Sequence, residues 1–194
     1  MIAAIILAAG QSKRMGRPKM ILPWGAITVI EQVIATFQNA GVQEIVVVTG
    51  GAREQVEGLV GRLAIRTVHN PGYETGEMLS SLQCGLSAMS SEVAAALIGL
   101  GDQPQVQEPT VQRLRQAFLE RGSLLLVPSF QRRRGHPWLV ARPLWDELLA
   151  MKAPESPRDF LNRHAGEIDY VDVNTPTILA DLDTPEEYRK SRPV

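Results

Sequence analysis

Ser12, Lys13, Arg14, Arg17 and Lys19 crowd one short stretch that also holds Gly10 and Gly16. Small residues directly after a strand let backbone N–H groups approach a ligand, and cations there suit phosphate oxygens. The stretch is not a Walker A loop, because Arg17-Pro18 follows the second glycine in place of Lys-Ser/Thr. Nor is it the dinucleotide fingerprint, which needs G-x-G-x-x-G opening a helix. Pro18 and Pro23 favour an extended, irregular loop. Spacing does not choose among the four cations, and a solvated basic loop is the plainer alternative.

The carboxylates that could complement this loop lie far along the chain. Asp102 follows an apolar run, in Gly101-Asp102-Gln103-Pro104. A carboxylate at such a strand end can ligate Mg²⁺, a hard cation that takes oxygen ligands from one or two carboxylates, water and substrate phosphates. Asp181 and Asp183 are two apart and share a face if extended, so either could complete the site. The structural alternatives are a turn residue before Pro104 for Asp102 and a helix cap before Thr184-Pro185 for Asp183. Phosphoryl and nucleotidyl transfer rest on positioning and charge neutralisation, which is the chemistry this set could supply.

Other polar groups are more ambiguous. Gly135-His136-Pro137, after Arg132-Arg133-Arg134, suits a second anionic ligand or a proline turn shaped by a structural histidine. Ser80 and Ser81 near a helix start serve either as caps or as ligand contacts. His69 and His164 stand alone, and the three histidines lack metal-ligand spacing. The single cysteine, Cys84, reads as a small hydrophobe in a helix and excludes an intramolecular disulfide.

The elements that must position these groups alternate. Strands are expected at Ile2 to Leu7, Glu44 to Thr49, Ala64 to Val68, Val93 to Leu100, Ser123 to Val127 and Ile168 to Val173. Helices are expected at Thr28 to Ala40, Arg53 to Arg62, Gly76 to about Met89, Glu108 to Arg121, Pro143 to Met151 and Ser156 to His164. Thr184 can cap a short helix that follows it. Ser129 to Val140 reads as a hairpin turning at Arg134-Gly135. Such alternation implies right-handed crossovers and a mainly parallel sheet covered on both faces, an α/β fold. Val93 to Leu100, the most continuously apolar strand, belongs at its centre.

The chain of 194 residues, 44% hydrophobic and 21% charged, suits one globular domain with a sizeable core. We expect a nucleotide-binding part over about 1–127 and an acceptor-side extension over about 128–194, not a separable domain. A net charge of −1 argues against a general nucleic-acid binder. No apolar run reaches the roughly 20 residues of a membrane span. No basic region precedes the first apolar run as in a signal peptide. A cytoplasmic protein with neither membrane nor nucleic-acid partner is the expectation.

Leu7 to Lys19, L-A-A-G-x-S-x-R-M-G-x-x-K, resembles the signature of nucleotidyltransferases related to molybdenum cofactor guanylyl- and cytidylyltransferases. Gly76 to Gly85, Gly101 to Pro104, Gly135 to Pro137 and Asp181 to Tyr188 resemble the family's later segments in order and approximate spacing, so the likeness spans nearly the whole chain. It implies a Rossmann-like three-layer αβα fold of the nucleotide-diphospho-sugar transferase type. By the same resemblance Leu7, Ala8, Ala9 and Gly10 hold base and ribose, and Arg14 and Lys19 neutralise the triphosphate. Asp102 and Asp183 match the Mg²⁺ positions, Asn70, Ser80 and Ser81 fall at base or ribose contacts, and Gly135-His136 borders a pterin substrate.

Ala9, Gln103 and the Gly-His-Pro segment resemble the cytidylyltransferase branch. The implied reaction joins CMP from CTP to the terminal phosphate of molybdopterin or its molybdenum form, releasing pyrophosphate, in service of an apo-molybdenum hydroxylase. Two features depart from the family's pattern: Arg17-Pro18 within the loop, and the basic run Arg132 to Arg134, which suits a different anionic acceptor. Three other readings stand beside this one. They are a GTP-dependent sibling, a sugar- or polyol-phosphate nucleotidyltransferase, and a non-catalytic carrier of the pterin cofactor, which would tolerate Asp102→Ala.

Overall fold

In a computed structural model describing residues 1–75 and 77–193, strand β1 (Ile2–Ala8) is the element on which the rest registers. Gly76, which heads one of the segments compared above, lies outside the described residues. Side chains alternate along β1: Ala4, Ile6 and Ala8 enter one apolar cluster, and Ala3, Ile5 and Leu7 enter another on the opposite face. A strand buried on both faces reads as a continuous apolar run, as this one does.

A short ribbon, β2 (Pro23–Trp24) and β3 (Ile27–Thr28), leads into α1 (Val29–Asn39). Thr28 caps that helix in a reciprocal box with Glu31. Then follow β4 (Glu44–Thr49), α2 (Arg53–Val60), β5 (Arg66–His69), α3 (Glu77–Ser87), β6 (Ala95–Leu100) and α4 (Glu108–Arg121). The remainder comprises β7 (Leu125–Phe130), β8 (Arg133–Arg134), β9 (Trp138–Ala141), α5 (Trp145–Ala150), α6 (Pro157–Arg163), β10 (Asp169–Asp172) and α7 (Pro185–Ser191).

The main sheet runs β10-β7-β9-β6-β1-β4-β5, with β8 paired to β7. All neighbours on the path are parallel except around β9, which runs antiparallel to both β6 and β7. Helices α1, α2 and α4 contribute to one apolar cluster, and α3, α5 and α6 to the other. The result is the three-layer αβα architecture with a mostly parallel sheet, and β6 sits at its centre as its apolar run requires. The strands formed wholly after residue 128, β8, β9 and β10, all join the same sheet.

The hairpin turn is displaced from the expected position. The chain reverses at Gln131-Arg132, both with positive φ (50° and 63°), and Arg134 pairs back to Ser129. This backbone matches the twist of the flanking strands, so the two-residue loop forms without a glycine. Gly135 lies outside the turn, with its N–H donating to Pro128 O. Pro143 also begins no α-helix: Arg142–Leu144 is a 3₁₀ turn, and α5 starts at Trp145.

Register brings the ends of the parallel strands level. Ala8 pairs with Thr49, Thr49 with His69, and Leu7 with Leu100. Ala9-Gly10, Gly50-Gly51, Asn70 and Gly101-Asp102 therefore emerge along one edge, where open α/β sheets bind ligands. α3 leaves that edge and lies close to β1, because Gly85 has no side chain to hold it off. A Cβ there would stand 2.4 Å from Ile5 Cγ2, and Ile5 is fully buried. Gly85→Ala is expected to cost about 1–3 kcal/mol in overpacking. The gain in helix propensity offsets at most about 1 kcal/mol. A lower urea midpoint at unchanged m-value checks this.

Candidate functional site

The loop after β1 is held by two buried methionines rather than by regular structure. Met15 packs with Leu22, Trp24, Leu182 and Tyr188, and Met20 enters the sheet cluster. Ser12, at φ 51°, accepts the Lys19 N–H on its side chain at 3.0 Å and closes the loop. Burying the methionines turns the intervening basic residues outward and leaves Lys19 at the sheet edge.

There the two ends of the sequence meet. Lys19 Nζ donates to Asp102 Oδ2 at 2.9 Å and to Asp183 Oδ1 at 2.8 Å, and Arg14 donates to Asp183 Oδ2 at 2.7 Å. Lys19 is the enclosed cation, its side chain 11% exposed, whereas Arg14 is 71% exposed. Lys13 and Arg17 reach neither carboxylate. Lost solvation would by itself lower the Lys19 pKa, but Asp102 and Asp183 outweigh it and hold the ammonium above its usual value. The Lys19 hydrogen bond holds the Asp183 carboxyl below the usual range, against a smaller effect of burial.

Asp183 is not the cap of α7. Thr184 is, in a reciprocal box with Glu187, whose carboxylate also accepts the Asp183 N–H. The Asp183 side chain is left to face the loop. Tyr188 fastens α7 by donating to Pro23 O at 2.6 Å. Asp181 has a different environment: burial raises its pKa, only partly countered by Gln103 Nε2, which donates to it at 2.7 Å.

A cleft of ≈ 390 Å³ opens beside this cluster. Leu7, Ala9, Gly10, Ser81, Asp102 and Asp183 line it, as do Met20, Tyr73, Met78, Leu100 and Asp181. An adjoining pocket of ≈ 150 Å³ takes in Ser12, Lys13, Arg14 and Lys19 and shares Gly10, Asp102 and Asp183 with the cleft. Among the predicted residues, Ala8 is buried beneath the cleft, and Asn70 is buried and does not line it. Ser80 lines a separate cavity, ≈ 340 Å³, beyond α3.

Gly135 and His136 are off the cleft wall. They hang on Ile178, whose carbonyl accepts the His136 N–H at 3.0 Å and would lie 2.4 Å from a Cβ at Gly135. Burial lowers the His136 pKa to about 4, although Asp102 is near enough to pull it upward. The imidazole is therefore neutral at pH 7.

Sequence reasoning missed the Gln103–Asp181 pair, the Ser12 latch and the spacing role of Gly50. A Cβ on Gly50 would stand 2.4 Å from Ala9 O and 2.7 Å from Tyr73 Cβ, so this glycine sets how closely the first loop and Tyr73 approach. The glycine pair ending β4 was the available signal.

The chain is similar to several known proteins. The profile of the MobA-like NTP transferase domain matches residues 4–168. Molybdenum cofactor cytidylyltransferase of Escherichia coli (strain K12) is 30% identical over 191 residues, 96% of this chain and 93% of that protein. Nicotine blue oxidoreductase of Paenarthrobacter nicotinovorans is 29% identical over 193 residues, 96% of this chain and 94% of that protein. Rv0371c of Mycobacterium tuberculosis H37Rv superposes with a TM-score of 0.83 at 25% identity, covering 97% of this chain and 96% of that one. Its manganese complex superposes with a TM-score of 0.78, also at 25% identity, over 97% and 96%.

Two histidines should titrate on opposite sides of the ordinary value. Burial depresses His136, so its contribution to stability is present above pH 6.5 and is lost as pH falls towards 4. His164 loses some solvation, but its contacts with Glu147 and Glu167 win and raise it, so its contribution is present below pH 6.5 and fades as pH rises through the folded pKa. Ring-proton NMR should show His136 titrating near 4 and His164 above 6.5.

Proposed function

The chain belongs to the MobA-like NTP transferase family, and we propose that within it this protein transfers CMP from CTP to the terminal phosphate of molybdopterin or its molybdenum form. The observation that carries the reading is the cluster itself. An enclosed lysine and an outer arginine converge with two carboxylates at the mouth of a cleft framed by the first loop. In the proposed reaction an acceptor phosphate oxygen attacks the α-phosphorus of CTP. The bond from that phosphorus to the bridging oxygen breaks, and pyrophosphate leaves with the electron pair. Arg14 and Lys19 offset the triphosphate charge, while the backbone from Leu7 to Gly10 receives base and ribose. Gly135 and His136, beyond Asp102, border the acceptor.

Asp102 and Asp183 suit a divalent cation. Both carboxylates point at one spot, already held by an ammonium, and their oxygens are the donors Mg²⁺ prefers. Among the described residues no group of three or more His, Cys, Asp or Glu side chains forms a protein-only cage. A pair completed by water and phosphate oxygens is the usual Mg²⁺ arrangement. Bound there, the ion would supply charge stabilisation to the α-phosphate and the leaving pyrophosphate. The manganese complex of Rv0371c supports a divalent cation in this fold.

CTP is favoured by the cytidylyltransferase relative and by the likeness of Ala9, Gln103 and Gly135 to Pro137 to that branch. The oxidoreductase relative stands at nearly the same identity, so the activity is decided by assay. Within the cell the product would serve an apo-molybdenum hydroxylase. Neither a membrane nor a nucleic acid enters the proposal, and among the described residues no helix is long and apolar enough to cross a membrane.

Pyrophosphate release with Mg²⁺ and a molybdopterin-type acceptor should occur with CTP in preference to GTP, ATP and UTP. A chelator should stop it, and added Mg²⁺ restore it. Asp102→Ala should reduce turnover at least about a hundredfold with folding intact. Preference for GTP would move the protein to the sibling branch. Activity only with sugar or polyol phosphates would replace the acceptor, and silence from all acceptors with retained pterin binding would favour the carrier.

A further inference from the structure

Asn70 is buried at the end of β5, behind the nucleotide cleft rather than on its wall. Its amide makes three hydrogen bonds whose directions can be deduced. The Gly72 backbone N–H, which can only donate, lies 2.9 Å from one amide atom, and that atom is therefore the oxygen, Oδ1. The other is the nitrogen, and its two protons go to Ser80 Oγ at 2.8 Å and Ser81 Oγ at 3.0 Å. Both serine oxygens must then accept at these contacts.

A hydroxyl that accepts from one neighbour still has its own proton to place. Ser81 is 4% exposed and lines the cleft. Among the described residues its oxygen makes no further hydrogen bond. A buried donor without an acceptor is costly, and the open side available to it is the cleft. Resting on the nucleotide-binding reading above, we propose that Asn70 is a positioning residue: it fixes Ser81 as a hydrogen-bond donor into the cleft, selecting a nucleotide that presents an acceptor there. A pyrimidine carbonyl or unprotonated ring nitrogen satisfies that demand, and an amino or ring N–H group does not.

Asn70→Asp reverses the polarity with little change of shape. A carboxylate still accepts from Gly72 N–H, but it turns the Ser81 hydroxyl inward. Calorimetric titration with the nucleotide that the wild type binds best should show about tenfold weaker binding for both Asn70→Asp and Ser81→Ala. The double variant should be no weaker than the weaker single, because Asn70 acts through Ser81. Inorganic tripolyphosphate, which has charge but no base, should bind wild type and Asn70→Asp alike.

Additive losses in the double variant, or a parallel loss of tripolyphosphate binding, would show a charge effect and overturn the proposal. Undiminished nucleotide affinity in Ser81→Ala would also overturn it, and that variant decides alone if thermal melting shows Asn70→Asp unfolded. Wild type preferring a nucleotide other than CTP would overturn the cytidylyl assignment, while the same variant pattern with that nucleotide would uphold the role of Asn70. Wild type binding no nucleotide overturns both.

Discussion

One ammonium shared between two carboxylates is the constraint on which the site depends. Lys19 comes from the first loop, Asp102 from the centre of the sheet, and Asp183 from just before the last described helix. Like-charged carboxylates brought together at a half-buried edge repel each other unless a cation lies between them. Without the lysine, the segment carrying Asp183 would bring a second carboxylate up to Asp102 with only the exposed Arg14 to offset it. Lys19 thus has both a structural task and, with substrate present, an anion to neutralise.

Apolar anchoring makes that contact precise. Met15, Leu22, Trp24 and Val29 from the N-terminal part pack against Leu182 and Tyr188 from the C-terminal part, forming a small satellite core beside the two that flank the sheet. The polar residues of the loop lie between hydrophobic pegs. The same division of labour recurs beyond Asp102, where Gly135 fits against Ile178 and its neighbour His136 is half-buried. Tight backbone approach at Gly50 and Gly101 completes the frame, because a side chain at either position would push the first loop away.

Much of this was legible from residue order. The apolar runs located the central strands because strands buried on both faces leave little room for polar residues. The glycine-rich and acidic strand ends pointed to one common edge, and the register brings them level there. The reversal of β9 between β6 and β7 was not legible, since its four buried residues look the same in either direction. Nor was the turn at Gln131-Arg132, where strand twist imposes positive φ on residues that do not advertise it. The orientation of the Asn70 amide depends on one backbone N–H two residues later and two hydroxyls from another element, a tertiary fact with no local pattern. Asp102 and Asp183 each had an ordinary reading in isolation; their shared partner distinguishes them from turn and cap residues.

The long separation within the Lys19–Asp183 pair also has a temporal consequence. These residues are 164 positions apart. A ribosome delivers the loop cations early and the second carboxylate only after the strands of the sheet have been made. The growing chain can therefore assemble its scaffold while its anion-attracting loop is still without half of its counter-charge. Completion of the site is a late event in the protein's biogenesis, and a chain truncated before Asp183 would retain sheet-forming sequence but carry an unbalanced basic edge.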